Sequence, residues 1–168
     1  MRRGILRVFG AKVGKSVNIY PSALIYFPWN LEIGDDSSIG EWALVYNLGP
    51  VTIGSRTTIS QRVHLCAGTH DYRKPDMPLF KPPIMIGNEV WVCADAFVGP
   101  GVSLGEGSVV VSDSKDSLQS AARLLGFSVE SLSEALLNRT LNVRGEVMVV
   151  PLDPMQAVDT RNAFSKEI

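Results

Sequence analysis

Aliphatic residues recur at every sixth position along much of the chain: Val13, Ile19 and Ile25, then Ile33, Ile39 and Val45, then Ile53, Ile59 and Leu65. The series resumes at Ile86, Val92, Val98, Leu104 and Val110. Glycine often follows the aliphatic residue, as at Gly14, Gly34, Gly40, Gly54, Gly87, Gly99 and Gly105. A small or apolar residue often sits four positions after it, as at Val17, Ala23, Ser37, Ala43, Thr57, Val63, Val90, Ala96, Val102 and Ser108. A helix would space its apolar residues by three and four. A six-residue unit instead suits a short strand followed by a corner, three such units closing one triangular coil.

The phase of the repeat locates a departure from it. Coils start at residues 13, 33 and 53, each separated by three hexapeptides plus a two-residue insertion. From Ile53 to Ile86 the spacing is thirty-three, thirteen more than the preceding twenty, and the excess covers residues 71–83, DYRKPDMPLFKPP. Pro75, Pro78, Pro82 and Pro83 cannot donate to a β-ladder, so the pattern predicts an ordered excursion without strand, thrown out from one corner. Loops on a rigid scaffold are where function concentrates.

The period fails after Val110, and the character of the chain changes. Leu118, Ala121, Ala122, Leu124 and Leu125 fall on one helical face with Gly126 as a stop, and Ser128 is placed to cap a second helix carrying Leu132, Ala135, Leu136 and Leu137. Residues 140–152 read as a hairpin turning at Arg144-Gly145, and Asp153-Pro154 as the start of a last helix. The expectation is an all-β solenoid domain over residues 1–112, followed by a small α+β appendage over residues 113–168.

Composition narrows the function classes. Sixteen basic residues against seventeen acidic leave a formal charge of -1, which gives no global electrostatic reason for a nucleic-acid or anionic-membrane partner. Cys66 and Cys93 stand in apolar contexts without CxxC spacing, an argument against a zinc site or a disulfide framework, and both read as buried core thiols. The opening MRRGILRVFGAK is too short and too broken in its apolar run for a signal sequence or a membrane span, so a cytoplasmic location is expected.

The strings GAKVGKSVNIYPSALIYFPWNLEIG, YNLGPVTIG, ISQRVHLCAGTHDY and VWVCADAFVGPGVSLGEG, spread from Leu6 to about Val110, carry a family resemblance. They resemble the left-handed β-helix (hexapeptide-repeat) sugar O-acetyltransferases of the colanic-acid biosynthesis type. The left hand comes from the resemblance alone, because parallel crossovers are otherwise right-handed. The family's customary further coil is not found after Val110. Instead, residues 116–168, with AARLLGFSVESLSEALLNR and QAVDTRNAFSK, are similar to a stretch of the myosin motor head. No GxxxxGK[ST] loop and neither of that family's switch motifs occur, so the chain is read as a fusion of two incomplete pieces and the tail not as a motor.

The resemblance implies acetyl transfer from acetyl-CoA, without a metal, to a hydroxyl of a saccharide or glycolipid-linked sugar, in a homotrimer whose sites lie between chains. An alcohol is a poor nucleophile at neutral pH, so the reaction needs a base, and His70 in the Thr-His-Asp triplet matches the family's catalytic position. His64, the other histidine, sits where a hexapeptide side chain points outward. Asp71 or Asp76 could hold the far nitrogen of the base, and Asp71 could equally start the loop with a local backbone bond. Asn47 matches a position of the acceptor pocket, or serves as a turn residue at a corner. Trp91 matches a tryptophan beside the acceptor and pantetheine arm, or packs under the loop. Ala94, Gly99 and Gly101 fall where the pantetheine arm would run against exposed main chain, and the glycines are equally corner residues. A zinc-holding relative of the carbonic-anhydrase kind would need three histidines, and only two are present. The competing expectation is a solenoid that folds but, truncated, lacks a complete CoA groove and does no chemistry.

Overall fold

The computed structural model describes residues 2–112, Ser128 and residues 147–149. Within them the six-residue period becomes a three-sided parallel β-solenoid. The first face stacks Lys12–Val13, Leu31–Ile33, Val51–Ile53, Ile84–Ile86 and Ser103–Leu104. The second stacks Asn18–Ile19, Ser38–Ile39, Thr58–Ile59, Trp91–Val92 and Val109–Val111, and the third stacks Leu24–Ile25, Leu44–Tyr46, His64–Cys66 and Phe97–Val98.

Register follows the aliphatic series. Val13, Ile33, Ile53, Ile86 and Leu104 stand in line on the first face. Ile19, Ile39, Ile59, Val92 and Val110 do so on the second, and Ile25, Val45, Leu65 and Val98 on the third. All are buried except Ile25, which is partly so. Each fully buried Ile or Leu contributes on the order of 1.5–3 kcal/mol relative to exposure, so the three ladders are the main stabilising element. The small residues four positions on fill the corners from inside. Where they are polar they are satisfied: Ser37 Oγ donates to Gly54 O (2.7 Å) and Thr57 Oγ1 to Gly87 O (2.8 Å), tying each coil to the next.

The corners between the first and second faces, and between the second and third, are tight. Several turn on a residue three positions after the aliphatic one, in the left-handed region: Ser16, Asp36, Trp42, Arg56, Arg62, Glu89 and Asp95 have φ between 53° and 64°. The corner from the third face to the first is different in the first three coils, because the two-residue insertions and the long excursion all fall there. In the fourth coil there is no insertion, and that corner closes tightly on Gly101 at φ 78°.

The N-terminal helix Arg2–Val8 covers the open edge of the first coil. Leu6 is buried against it, Arg7 Nη2 donates to Val13 O (2.6 Å) and Gly14 O (2.9 Å), and Arg2 donates to the carbonyls of Pro21 and Ala23. At the far end Val147–Val149 extends the second face, parallel to Val109–Val111. The strand expected in a hairpin over residues 140–152 therefore pairs with the solenoid; the other half of that hairpin, its turn and the three helices expected beyond Ser114 lie outside the described residues. No helix among the described residues is long and apolar enough to cross a membrane.

Two expectations are corrected. Residues 71–83 are not free of strand: Leu79–Phe80 pairs antiparallel with Thr69–His70, matching His70 to Leu79 and Thr69 to Phe80. Leu79 and Phe80 fall between Pro78 and Pro82-Pro83 and keep their N–H groups, which is room enough for one short rung. Of the two cysteines Cys93 is in the core, but Cys66 stands half-buried on the outward side of the third face, because it is one residue past the inward Leu65.

Candidate active site

The third-to-first corner gathers the departures from the repeat, and His70 stands on it. The chain leaves the third face at Cys66, passes Gly68 and rises into the two-stranded arm. Gly68 packs closely there: a Cβ would lie 2.6 Å from Leu48 Cδ1 of the coil before, so the Leu48 side chain would have to shift. The arm is ordered from within: Asp71 N–H donates to Pro78 O (3.1 Å), Lys74 N–H to Asp71 O (3.1 Å) and Met77 N–H to Lys74 O (3.0 Å).

The arm folds back onto the histidine. His70 is exposed, and its Nδ1 lies 2.6 Å from Met77 O. A carbonyl oxygen can only accept, so Nδ1 carries the proton in that contact and the lone pair of the neutral ring is on Nε2, facing away from the arm. This is the tautomer that a general base needs, and it is held by main chain. Asp71 is engaged elsewhere: Arg73 donates to its Oδ1 through Nε (2.9 Å) and N–H (3.2 Å). The Arg73 hydrogen bond, followed by its charge and that of Lys74, holds the Asp71 carboxyl below the ordinary carboxylate range. Asp71 thus organises the start of the arm, as an Asx turn does.

Asn47 lies on the same corner one coil earlier, fully buried. Its Oδ1 accepts from Phe27 N–H (3.0 Å) and its Nδ2 donates to Phe27 O (2.7 Å), so both ends of the amide are committed to the first coil's main chain. Asn30 Nδ2 returns to Asn47 O (3.1 Å) and Leu48 O (3.0 Å). This geometry supports the corner role for Asn47 over direct contact with a substrate. Gly101 joins the corner from the fourth coil, where a Cβ would stand 3.4 Å from Pro82 at the end of the arm; Gly99 is buried two residues before it.

Trp91 and Ala94 are not brought to this corner. Trp91 is on the outward side of the second face, half-buried, its Nε1–H donating to Ser60 Oγ (2.9 Å). Ala94 is at the second-to-third corner, its carbonyl accepting from Ser112 Oγ (2.8 Å). Within one chain they are separated from His70 by the width of a face. His64 is outward on the third face, edge-on to Phe97 with centroids 5.2 Å apart. Its Nε2 is enclosed without a hydrogen-bond partner, and burial pushes its imidazole below the ordinary value. Burial likewise pushes the Cys66 thiol up, against a smaller opposing effect of the Gly68 main chain, which leaves it a protonated, unreactive group; its Sγ lies 3.3 Å from Gly68 O.

A signal that periodicity does not report is the outward row of the third face. Leu24, Leu44, His64 and Phe97 are register mates, and Tyr26 packs edge-on against Tyr46 at 5.0 Å beside them. The equivalent row on the first face is Lys12, Glu32, Thr52, Met85 and Ser103. One side of the prism is apolar outside as well as inside.

Solved structures similar to this chain include a hexapeptide-repeat acetyltransferase of Vibrio cholerae in complex with acetyl-coenzyme A, with a TM-score of 0.61 at 26% identity over 66% of this chain and 63% of that one. The fold is that of the hexapeptide-repeat acetyltransferases. A galactoside acetyltransferase in complex with coenzyme A matches with a TM-score of 0.60 at 26% identity, over 65% of this chain and 56% of that one. Among curated proteins, WcaF of Escherichia coli, named as a colanic acid biosynthesis acetyltransferase, is 45% identical over 109 residues, 65% of this chain and 60% of its own length. The chain thus spans about three fifths of the relative it matches. A separate similarity, 40% identity over 63 residues, is to unconventional myosin IC of Drosophila melanogaster; it covers 38% of this chain and 6% of that protein. No family model matches. Among the described residues no group of three or more His, Cys, Asp or Glu is placed to hold a metal ion.

Proposed function

We propose that the chain transfers acetyl from acetyl-CoA to a hydroxyl of a saccharide, as a trimer, with His70 as the general base. The observation that carries this is the His70–Met77 contact, which leaves the Nε2 lone pair free on an exposed imidazole. A sugar hydroxyl bound at Nε2 loses its proton to it as the oxygen attacks the thioester carbonyl. The C–S bond breaks when the tetrahedral adduct collapses, and the imidazolium returns the proton to the departing thiolate of CoA. The relatives that bind acetyl-CoA or CoA supply the donor.

Two observations support assembly from several copies. The apolar outward row of the third face, with Leu24 at 59% exposure, suits burial against another subunit. The separation of Trp91 and Ala94 from His70 within one chain suits a site in which one copy brings the base and its neighbour the wall of the CoA channel. A ring of three pairs two different patches and closes.

The test is release of CoA thiol from acetyl-CoA that depends on added saccharide, on protein whose solution mass is that of a trimer. No thiol release above a protein-free control would sink the reading. A solenoid without a working CoA groove, the second reading, predicts no heat in a calorimetric titration with CoA from a chain whose spectrum is β-rich.

A further inference from the structure

We infer that Trp29, on the same corner as His70 and two coils before it, is the platform on which the ring of the acceptor saccharide stacks. The inference rests on the proposed transfer and adds to it where the acceptor lies. Trp29 is 61% exposed, so the ring is open to a ligand. It is not a loose side chain on a mobile loop. Pro28–Asn30 forms a one-turn 3-10 helix, with proline at its start fixing φ and Leu31 N–H closing onto Pro28 O.

The turn is fastened from both sides. Asn47, fully buried, spans the N–H and the carbonyl of Phe27, and Asn30 Nδ2 holds two carbonyls of the second coil. Phe27 stands edge-on to Trp29, with centroids 5.5 Å apart. On the other side Gly10, at φ 92°, lets the main chain after the N-terminal helix approach Trp29 closely, since a Cβ there would be 3.0 Å from Trp29 Cβ. Two amide side chains, a proline and a glycine therefore fix the main chain that carries one exposed indole. A fixed main chain is what a binding platform needs, because little of it remains to be ordered when the ligand arrives.

Position and chemistry select the ligand. Phe27 is bonded to Asn47 of the second coil, and Gly49 N–H of that coil to Ala67 O of the third, three residues before His70. Two inter-strand spacings separate the platform from the base, about 10 Å along the stack. A pyranose carries several C–H groups on one face and its hydroxyls around the rim. That face lies on the electron-rich surface of an indole while the rim stays free, so a sugar seated on Trp29 can extend a hydroxyl, or a second ring, toward Nε2 of His70.

The test compares the whole chain with Trp29→Ala and Trp29→Phe, using methyl β-galactoside and maltose as acceptors with acetyl-CoA. Loss of the stacking face should raise the acceptor KM about three- to tenfold, with kcat at saturating sugar and the KM for acetyl-CoA unchanged. Trp29→Phe, which keeps an aromatic face, should recover most of the loss. An unchanged acceptor KM overturns the inference, as does an equal shift in the KM for acetyl-CoA. So does dissociation of the assembly by Trp29→Ala, which would make the indole a subunit contact. Transfer by the unaltered chain to neither sugar, with acetyl-CoA still bound, overturns the saccharide platform and leaves the acetyl donor standing. Absence of acetyl-CoA binding overturns the function on which it rests.

Discussion

The two kinds of corner in this solenoid are built differently. First-to-second and second-to-third corners obey the six-residue period, and most turn on one left-handed residue against the corner above. Third-to-first corners break the period in each of the first three coils, and there the chain has placed a 3-10 turn with Trp29, the buried Asn47 clamp, and the arm that holds His70. The difference shows how a repeat takes up insertions: at a single corner they line up along the stack and leave the ladders undisturbed. Gly101 reinforces the point, since among the described residues the one third-to-first corner without an insertion returns to the tight form.

Substitutions can break that contrast. Asn47→Ala strips both part-buried main-chain groups of Phe27 of their partner and empties the space of a fully buried amide, and at about 1–3 kcal/mol for each group left unsatisfied it is the most destabilising change expected, read as a lower Tm. A residue that only touched substrate would leave Tm unmoved. Next is Gly54→Ala at a tight corner, where the new Cβ would sit 2.5 Å from the carbonyl of Gly87 in the coil above. Backbone there cannot yield without parting two coils, so a loss of about 1–3 kcal/mol in denaturant unfolding is expected.

Trp42→Gly should act in the opposite direction. Trp42 has φ 59° and is 69% exposed, so little burial is lost while left-handed strain is relieved. Relief of roughly 1–2 kcal/mol against glycine's own entropic cost of roughly 0.5–1 kcal/mol leaves a small net gain in Tm. The smallest effect is one of pH. The His64 imidazole is depressed by burial below its ordinary 6.5, so the unfolded chain binds more protons than the folded one as the pH falls through that value. Stability is whole above it and declines below it. His64→Gln should flatten that decline in Tm measured from neutral to mildly acidic buffer.

The ladders were legible in the sequence because each depends on one residue in six being aliphatic, and a period of that kind survives any side chain placed between. The position of the arm was equally legible, as an excess over twenty-residue coils. Its short strand was not: four prolines argue against pairing, and only three-dimensional placement shows that Leu79 and Phe80 escape them. The histidine's partner was hidden for a related reason. Carboxylates are visible in a sequence, whereas a carbonyl such as that of Met77 belongs to every residue and becomes a partner only by folding. Asn47 illustrates the converse, an amide whose residue type suits a sugar hydroxyl and whose burial commits it to the main chain.

The central claim, that the arm at the irregular corner presents His70 as a base, is tested most directly by His70→Ala. The side chain is exposed and off the ladders, so Tm and the Kd for acetyl-CoA should match those of the unaltered chain. The rate of acetyl transfer at saturating substrates should fall by about 10²–10⁴-fold, the range general-base catalysis supplies. An unchanged rate in a folded variant that binds acetyl-CoA would contradict the account.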